Sequence, residues 1–275
     1  MSSKGPIGVF DSGYGGLTIL SELRRRLPGY DYLYIGDNAR APYGTRSFDV
    51  VYRFTLEAVN YLFDAGCPLV ILACNTASAK ALRSIQQNDL PRSADPTRRV
   101  LGVIRPTAEA LGQLSHTGAI GIFGTPGTVA SQSYDMEIAK LYPDFRTYSQ
   151  ACPMGVPLIE NGEADQPGAD YFVKKYVDAL LGPHPDIVTI VLGCTHYPIL
   201  YDKIRRAVPE HIKVLRQGTL VGESLADYLL RHPEMDSRLT RGGLCRYLTT
   251  ENADRFSRLA GMFLGEDVEA TTVNL

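Results

Sequence analysis

Short apolar runs alternate with amphipathic stripes along most of the chain, the pattern of buried parallel strands separated by helices. Ile7 to Phe10 reads as a strand, and Leu17, Leu20, Leu23 and Leu27 form a helical stripe that Pro28-Gly29 ends. A second strand, Tyr32 to Ile35, leads into the loop Gly36-Asp-Asn-Ala-Arg-Ala-Pro-Tyr-Gly44. Val51, Phe54, Ala58, Tyr61 and Ala65 predict a helix closed by Gly66, before a third strand at Leu69 to Ala73 and a helix over 76–87. The polar, proline-bearing stretch 88–99 is the best candidate for a crossing between two halves. The alternation then restarts, with strands at Val100 to Ile104, Ile120 to Phe123 and Ile187 to Leu192, and helices after Pro106, after Gly127, up to Leu181 and from Pro198. A return crossing near Pro209 would bring Ile212 to Leu215, a helix at Leu220 to Leu230, a strand at Leu244 to Thr249 and a helix at Asp254 to Leu264 back to the first half. The fold class expected is α/β, with two doubly wound domains: residues 1–98 plus 210–275, and residues 99–209.

Two echoes suggest that the halves are related. Ile7-Gly-Val-Phe-Asp-Ser-Gly resembles Ile120-Gly-Ile-Phe-Gly-Thr-Pro, and Val70-Ile-Leu-Ala-Cys-Asn-Thr resembles Ile190-Val-Leu-Gly-Cys-Thr-His. The offsets, 113 and 120 residues, are similar. They predict a pseudo-twofold arrangement with a cleft between the domains. Ligands in open α/β sheets bind at the carboxyl ends of the strands, so Cys74 and Cys194 are each expected at an active edge. One nucleophile does not explain two such thiols. A proton taken from one face of a carbon and returned to the other does.

Composition narrows the class. The 275 residues are 44% hydrophobic and 21% charged with a net charge of −2, an ordinary globular balance. No basic tract points to nucleic acid. No apolar stretch approaches the ~18–20 residues that span a bilayer, and the Met1-Ser-Ser-Lys-Gly-Pro start has no secretory h-region. Five cysteines, at 67, 74, 152, 194 and 245, show no C-x-x-C spacing. That excludes a zinc finger and a disulfide framework and predicts a reducing, cytoplasmic setting. Cys67 and Cys245 read as small core residues, whereas Cys152 either packs or lines the cleft.

A cysteine at a strand end that opens a helix feels the positive end of the helix dipole, which predicts a lowered thiol pKa. Asn75-Thr76 and Thr195-His196, with the N–H groups of each helix start, offer donors to an anionic substrate. A cysteine phosphatase would need Arg six positions after the thiol, where Lys80 and Leu200 stand. A zinc site using Cys74, Cys194 and His196 lacks the usual spacing. A hydrolase using Cys194 and His196 leaves Cys74 unexplained. The turn Asp11-Ser-Gly-Tyr-Gly-Gly16 matches no phosphate-binding motif. Asp11 is either a polar partner in the cleft or a helix N-cap, and Ser12 is a donor to substrate. His196 is set apart from His116, His184, His211 and His232 by its place beside Cys194. Glu160 either pairs with it or is a solvated helix-end residue.

These segments together resemble the glutamate racemases, cofactor-independent enzymes of bacterial cell-wall synthesis. The matches are Phe-Asp-Ser-Gly-x-Gly-Gly at 10–16, Tyr-Ile-Gly-Asp…Ala-Pro-Tyr-Gly at 34–44, Ala-Cys-Asn-Thr-Ala-Ser at 73–78, Gly-Thr-x-x-Thr at 124–128, Cys-Pro…Val-Pro-Leu-Ile-Glu-x-Gly at 152–162 and Leu-Gly-Cys-Thr-His-Tyr-Pro at 192–198. The resemblance implies two thiol bases, Cys74 acting on D-glutamate with Asp11 nearby, and Cys194 acting on L-glutamate with His196 and Glu160. It further implies that Asp11, Ser12, Pro42, Tyr43, Gly44, Asn75, Thr76, Thr125, Thr128, Thr195 and His196 hold the substrate. No cofactor and no metal are implied, and a homodimer is. Arg105 and Gln217-Gly218 depart from the family pattern, and the tail after about 235 matches it weakly.

Overall fold

The computed structural model describes residues 4–114 and 118–275; His116 and the first three residues lie outside the described part. Among the described residues ten strands form two sheets, parallel throughout: β1 (Ile7–Asp11), β2 (Tyr32–Gly36), β3 (Leu69–Leu72), β4 (Arg99–Gly102), β5 (Ala119–Gly124), β6 (Arg146–Ala151), β7 (Ile187–Gly193), β8 (Lys213–Leu215), β9 (Cys245–Thr249) and β10 (Ala270–Thr272). The first sheet runs β10-β9-β2-β1-β3-β4 and the second β6-β5-β7-β8. Set side by side, β2-β1-β3-β4 and β6-β5-β7-β8 are the same strand order, so the repeat heard in the sequence is a repeat of topology.

The repeat corrects two assignments. The strand near Val100 was expected in the second half, yet β4 pairs with β3, Val70 opposite Val100. Ile212 to Leu215 was expected to return to the first half, yet β8 pairs with β7, Ile190 opposite Val214. Each copy is four strands long, and its last strand closes the open edge of its third. The polar stretch 88–99 marks an exposed connection inside the first unit. The chain leaves that unit after Gly102 and comes back after Leu215. Only β9 and β10 then return to the first sheet, pairing onto β2. The helix expected over 76–87 is broken into Asn75–Lys80, Leu82–Ser84 and a π-turn over Ile85–Asp89.

Both faces of the first sheet are buried, which is why its strands read as continuous apolar runs. Ile7, Val9, Tyr32, Tyr34, Leu69 and Ile71 face one core, and Phe10, Leu33, Ile35, Val70 and Leu72 the other. The second sheet is built alike, with Phe123, Ile190 and Leu192 on one side and Ile120, Ile122 and Val191 on the other. The tail is structural: the helix Ala253–Leu264 stacks Phe256 on Tyr14, ring centroids 5.3 Å apart, just behind the first strand-to-helix turn. Among the described residues no helix is long and apolar enough to cross a membrane.

Candidate active site

The carboxyl ends of β1, β3 and β7 meet. Cys74 follows β3 and caps the helix Asn75–Lys80, its sulfur accepting the Ala77 N–H at 3.4 Å and lying 3.5 Å from Ser12 Oγ. Asp11, the last residue of β1, is fully buried; its carboxylate accepts the Gly13 N–H at 2.9 Å and the Thr195 hydroxyl at 3.5 Å. Asp11 is therefore a partner across the cleft and no side-chain cap, since the helix Leu17–Arg26 begins at Gly16 without one. Cys194 follows β7, 4.0 Å from His196 Nδ1, and His196 Nε2 is 3.0 Å from Glu160 Oε1. Glu160, whose alternative reading was a solvated residue, is thus paired. The unbroken run of neighbours from Cys74 through Ser12, Asp11, Thr195 and Cys194 to His196 and Glu160 joins both units.

Small residues permit this approach. A Cβ on Gly15 would stand 2.3 Å from His196 Nδ1 and 2.4 Å from Thr195 Oγ1, so only glycine lets the first turn lie against the second unit. Thr18 Oγ1 donates to the Thr195 carbonyl at 2.9 Å, and Tyr34 OH to the Gly13 carbonyl at 2.8 Å, bracing the turn from both sides.

A second cluster lies beside the first. The hydroxyls of Thr76, Thr125 and Thr128 stand 2.9 to 3.3 Å from one another, again across the two units. Gly44 accepts the Gly127 N–H through its carbonyl at 2.7 Å, which seats the Pro42-Tyr43-Gly44 loop on the second unit. Tyr43 is buried with its hydroxyl committed to the Asp37 carboxylate, and Pro42 is exposed. Asn75 gives one hydrogen of its amide to Gln217 and accepts from Tyr134. Neither stood out as a site residue in the sequence: Tyr134 belongs to no motif, and Gln217 was only a departure from the family pattern. Cys152 packs in the same core as Cys194, its S–H donating to the Gln150 carbonyl at 3.6 Å.

The electrostatics divide the site. Burial, reinforced by the Asp11 charge, pushes the Cys74 thiol up to about 12, against the opposing contacts from Ser12 and the Ala77 N–H. The dipole effect expected for Cys74 is overridden by desolvation. Asp11 is raised by its burial, with His196 opposing. Burial works against the His196 cation, yet the contacts with Cys194 and Glu160 outweigh it and raise the ring to about 10. At neutral pH His196 is a buried cation between a sulfur and a carboxylate. Among the described residues no three His, Cys, Asp or Glu side chains cluster as metal ligands would.

A family model described as Asp/Glu/Hydantoin racemase matches residues 17–219. A glutamate racemase of Ruegeria sp. (strain TM1040) is 43% identical over 95% of this chain and 97% of its own length. A glutamate racemase isoform of Bacillus anthracis superposes with a TM-score of 0.88 at 33% identity, covering 98% of each chain. The glutamate racemase of Francisella tularensis subsp. tularensis SCHU S4, solved in complex with D-glutamate, gives a TM-score of 0.85 at 30% identity, with 98% of each chain covered. The repeated topology, the paired cysteines and these relatives agree: the chain belongs to the Asp/Glu/hydantoin racemase family and is an isomerase, an amino-acid racemase.

Proposed function

We propose that the protein interconverts L- and D-glutamate without a cofactor, by two thiols acting on opposite faces of Cα. Cys74 serves the D-isomer, with Asp11 and Ser12 beside it, and Cys194 serves the L-isomer, with His196 and Glu160. The observation that carries this is the placement of Cys74 and Cys194 after equivalent strands, β3 and β7, of the repeated unit, with Ser12 beside the first sulfur, His196 beside the second, and Asp11 bonded to Thr195 between the units. The names of the relatives support glutamate as substrate.

A thiolate must form before it can act as a base. The glutamate ammonium, brought against the buried Cys74, supplies the positive charge that favours ionisation. Ser12, Asn75, Thr76, Thr125, Thr128 and Thr195 supply donors for the two carboxylates, with the backbone of Pro42, Tyr43 and Gly44 closing one side. No imine or ring is on hand to accept electrons, so the developing carbanion is stabilised by hydrogen bonds aimed beforehand in a water-poor cleft. The two units act as domains that close on the substrate. The product feeds peptidoglycan synthesis in the cytoplasm, and the working form is a homodimer. Five free cysteines suit that compartment.

The test is racemisation of L-glutamate in heavy water, followed by NMR and circular dichroism with no added cofactor, and with aspartate as a parallel substrate. Early D-product should carry deuterium at Cα while remaining L-substrate stays largely protiated, and Cys74→Ala or Cys194→Ala should each abolish turnover. Equal labelling of both isomers from the outset would replace two bases by one, and faster turnover of aspartate would reassign the substrate.

A further inference from the structure

Asn75, the residue after Cys74, joins a closed ring of buried hydrogen bonds in which neither sulfur takes part. Asn75 Nδ2 donates to Gln217 Oε1 at 2.7 Å, Gln217 Nε2 donates to Tyr134 OH at 2.6 Å, and Tyr134 OH donates to Asn75 Oδ1 at 2.7 Å. Asn75, Gln217 and Tyr134 are each 2% exposed. The direction of the ring is set from outside. Thr107 Oγ1 gives its only hydrogen to the Val103 carbonyl at 2.7 Å, so toward Gln217 it can only accept, and Gln217 Nε2 lies 2.9 Å away. That turns Gln217 Oε1 toward Asn75 and forces Asn75 to present its NH2 to Gln217 and its oxygen to Tyr134. Reversing Gln217 would set its NH2 against that of Asn75, and reversing Asn75 would set its carbonyl oxygen against Gln217 Oε1, each leaving buried polar atoms unpaired.

The members come from well-separated parts of the chain. Asn75 follows Cys74 and opens the helix Asn75–Lys80, while Gln217 opens the helix Gln217–Arg231 at the return crossing. Val103 and Thr107 stand at the outgoing crossing and Tyr134 belongs to the helix Ser133–Leu141 of the second unit. Thr195, which occupies the matching place after Cys194, is held differently, by Asp11 and Thr18.

We propose that Gln217 is a positioning residue for the Cys74 half of the reaction: through Asn75 it orients the start of the helix that carries Cys74, and it governs one of the two proton transfers and not the other. The proposal rests on the two-thiol mechanism proposed above. It goes beyond that mechanism in assigning to one sulfur a buried residue that bonds to neither.

Three variants test it: Gln217→Met, of similar size without hydrogen bonds; Tyr134→Phe, which breaks the ring elsewhere; and Gln217→Glu, which donates only when protonated. Thermal unfolding verifies that each is folded. Turnover should fall on the order of tenfold to a hundredfold for Gln217→Met, the usual cost of a slightly misplaced catalytic group. Adding Tyr134→Phe should then cost little more, since one ring is already broken. The activity of Gln217→Glu relative to wild type should rise as pH falls. The decisive readout is the primary isotope effect with α-deuterated substrates. It should grow for the isomer that Cys74 deprotonates and shrink for the other, because one transfer alone has become slow. Exchange of each isomer's α-proton by Cys74→Ser identifies that isomer independently. Isotope effects unchanged for both isomers, or skewed toward the isomer that Cys194 serves, would overturn the proposal. If Cys74→Ser exchanges both isomers like wild type, the two-thiol mechanism itself fails, whatever Gln217 does.

Discussion

Burial and charge act on Cys74 against the helix it begins. The sulfur accepts an N–H from the first turn, a favourable contact, yet the dry surroundings and Asp11 hold the thiol protonated up to about pH 12. Alkylation of Cys74 in the free protein, mapped by mass spectrometry, should therefore keep accelerating with pH well past the ordinary thiol range of about 8.5 without levelling there. His196 is the opposite case. Its ordinary value of 6.5 is raised to about 10 in the folded chain, so the stabilisation from its ion pair is complete below 6.5 and is lost as pH rises through about 10. The stability gap between wild type and His196→Asn, measured by thermal unfolding, should narrow over that window.

At the level of elements, the strand-to-helix turns decide how close the units come. Gly15→Ala places a methyl where His196 and Thr195 already are. Overpacking of this kind costs about 1–3 kcal/mol, and the same shift moves the Thr195–Asp11 contact. Loss of activity at temperatures where the variant remains folded is the outcome expected from steady-state assays. Much of this layer was legible beforehand. The strands carrying Asp11, Cys74 and Cys194 are long apolar runs that end in polar residues, a signal that burial on both faces imposes. β6 was not legible: Arg146-Thr-Tyr-Ser-Gln-Ala151 forms an edge strand, only partly buried, and its residues carry no apolar run to find. The sheet to which β4 and β8 belong could not be read either, because strand pairing depends on contacts distant in sequence and both segments are short. Gln217 and Tyr134 escaped for a related reason. Their function lies in one another, and a ring of three residues from distant elements leaves no local spacing to notice.

The whole molecule is two like units and an appendage that returns to the first. That appendage, weakly matched to the family in sequence, forms β9 and β10 and carries Phe256, fully buried against Tyr14 and Tyr34. Phe256→Ala should cost about 3–5 kcal/mol in chemical denaturation, and by loosening the turn that Tyr14 belongs to it should reduce activity before the protein unfolds. The units are alike in topology and unlike in chemistry, since one sulfur is attended by a serine and a buried carboxylate and the other by a cationic imidazole and a glutamate. Enantiomers have equal free energies in water, so thermodynamics demands the same kcat/KM from either direction. The lopsided environment can therefore shift saturation and maximal velocity only in step: whichever hand of the amino acid is turned over faster must also be held more loosely.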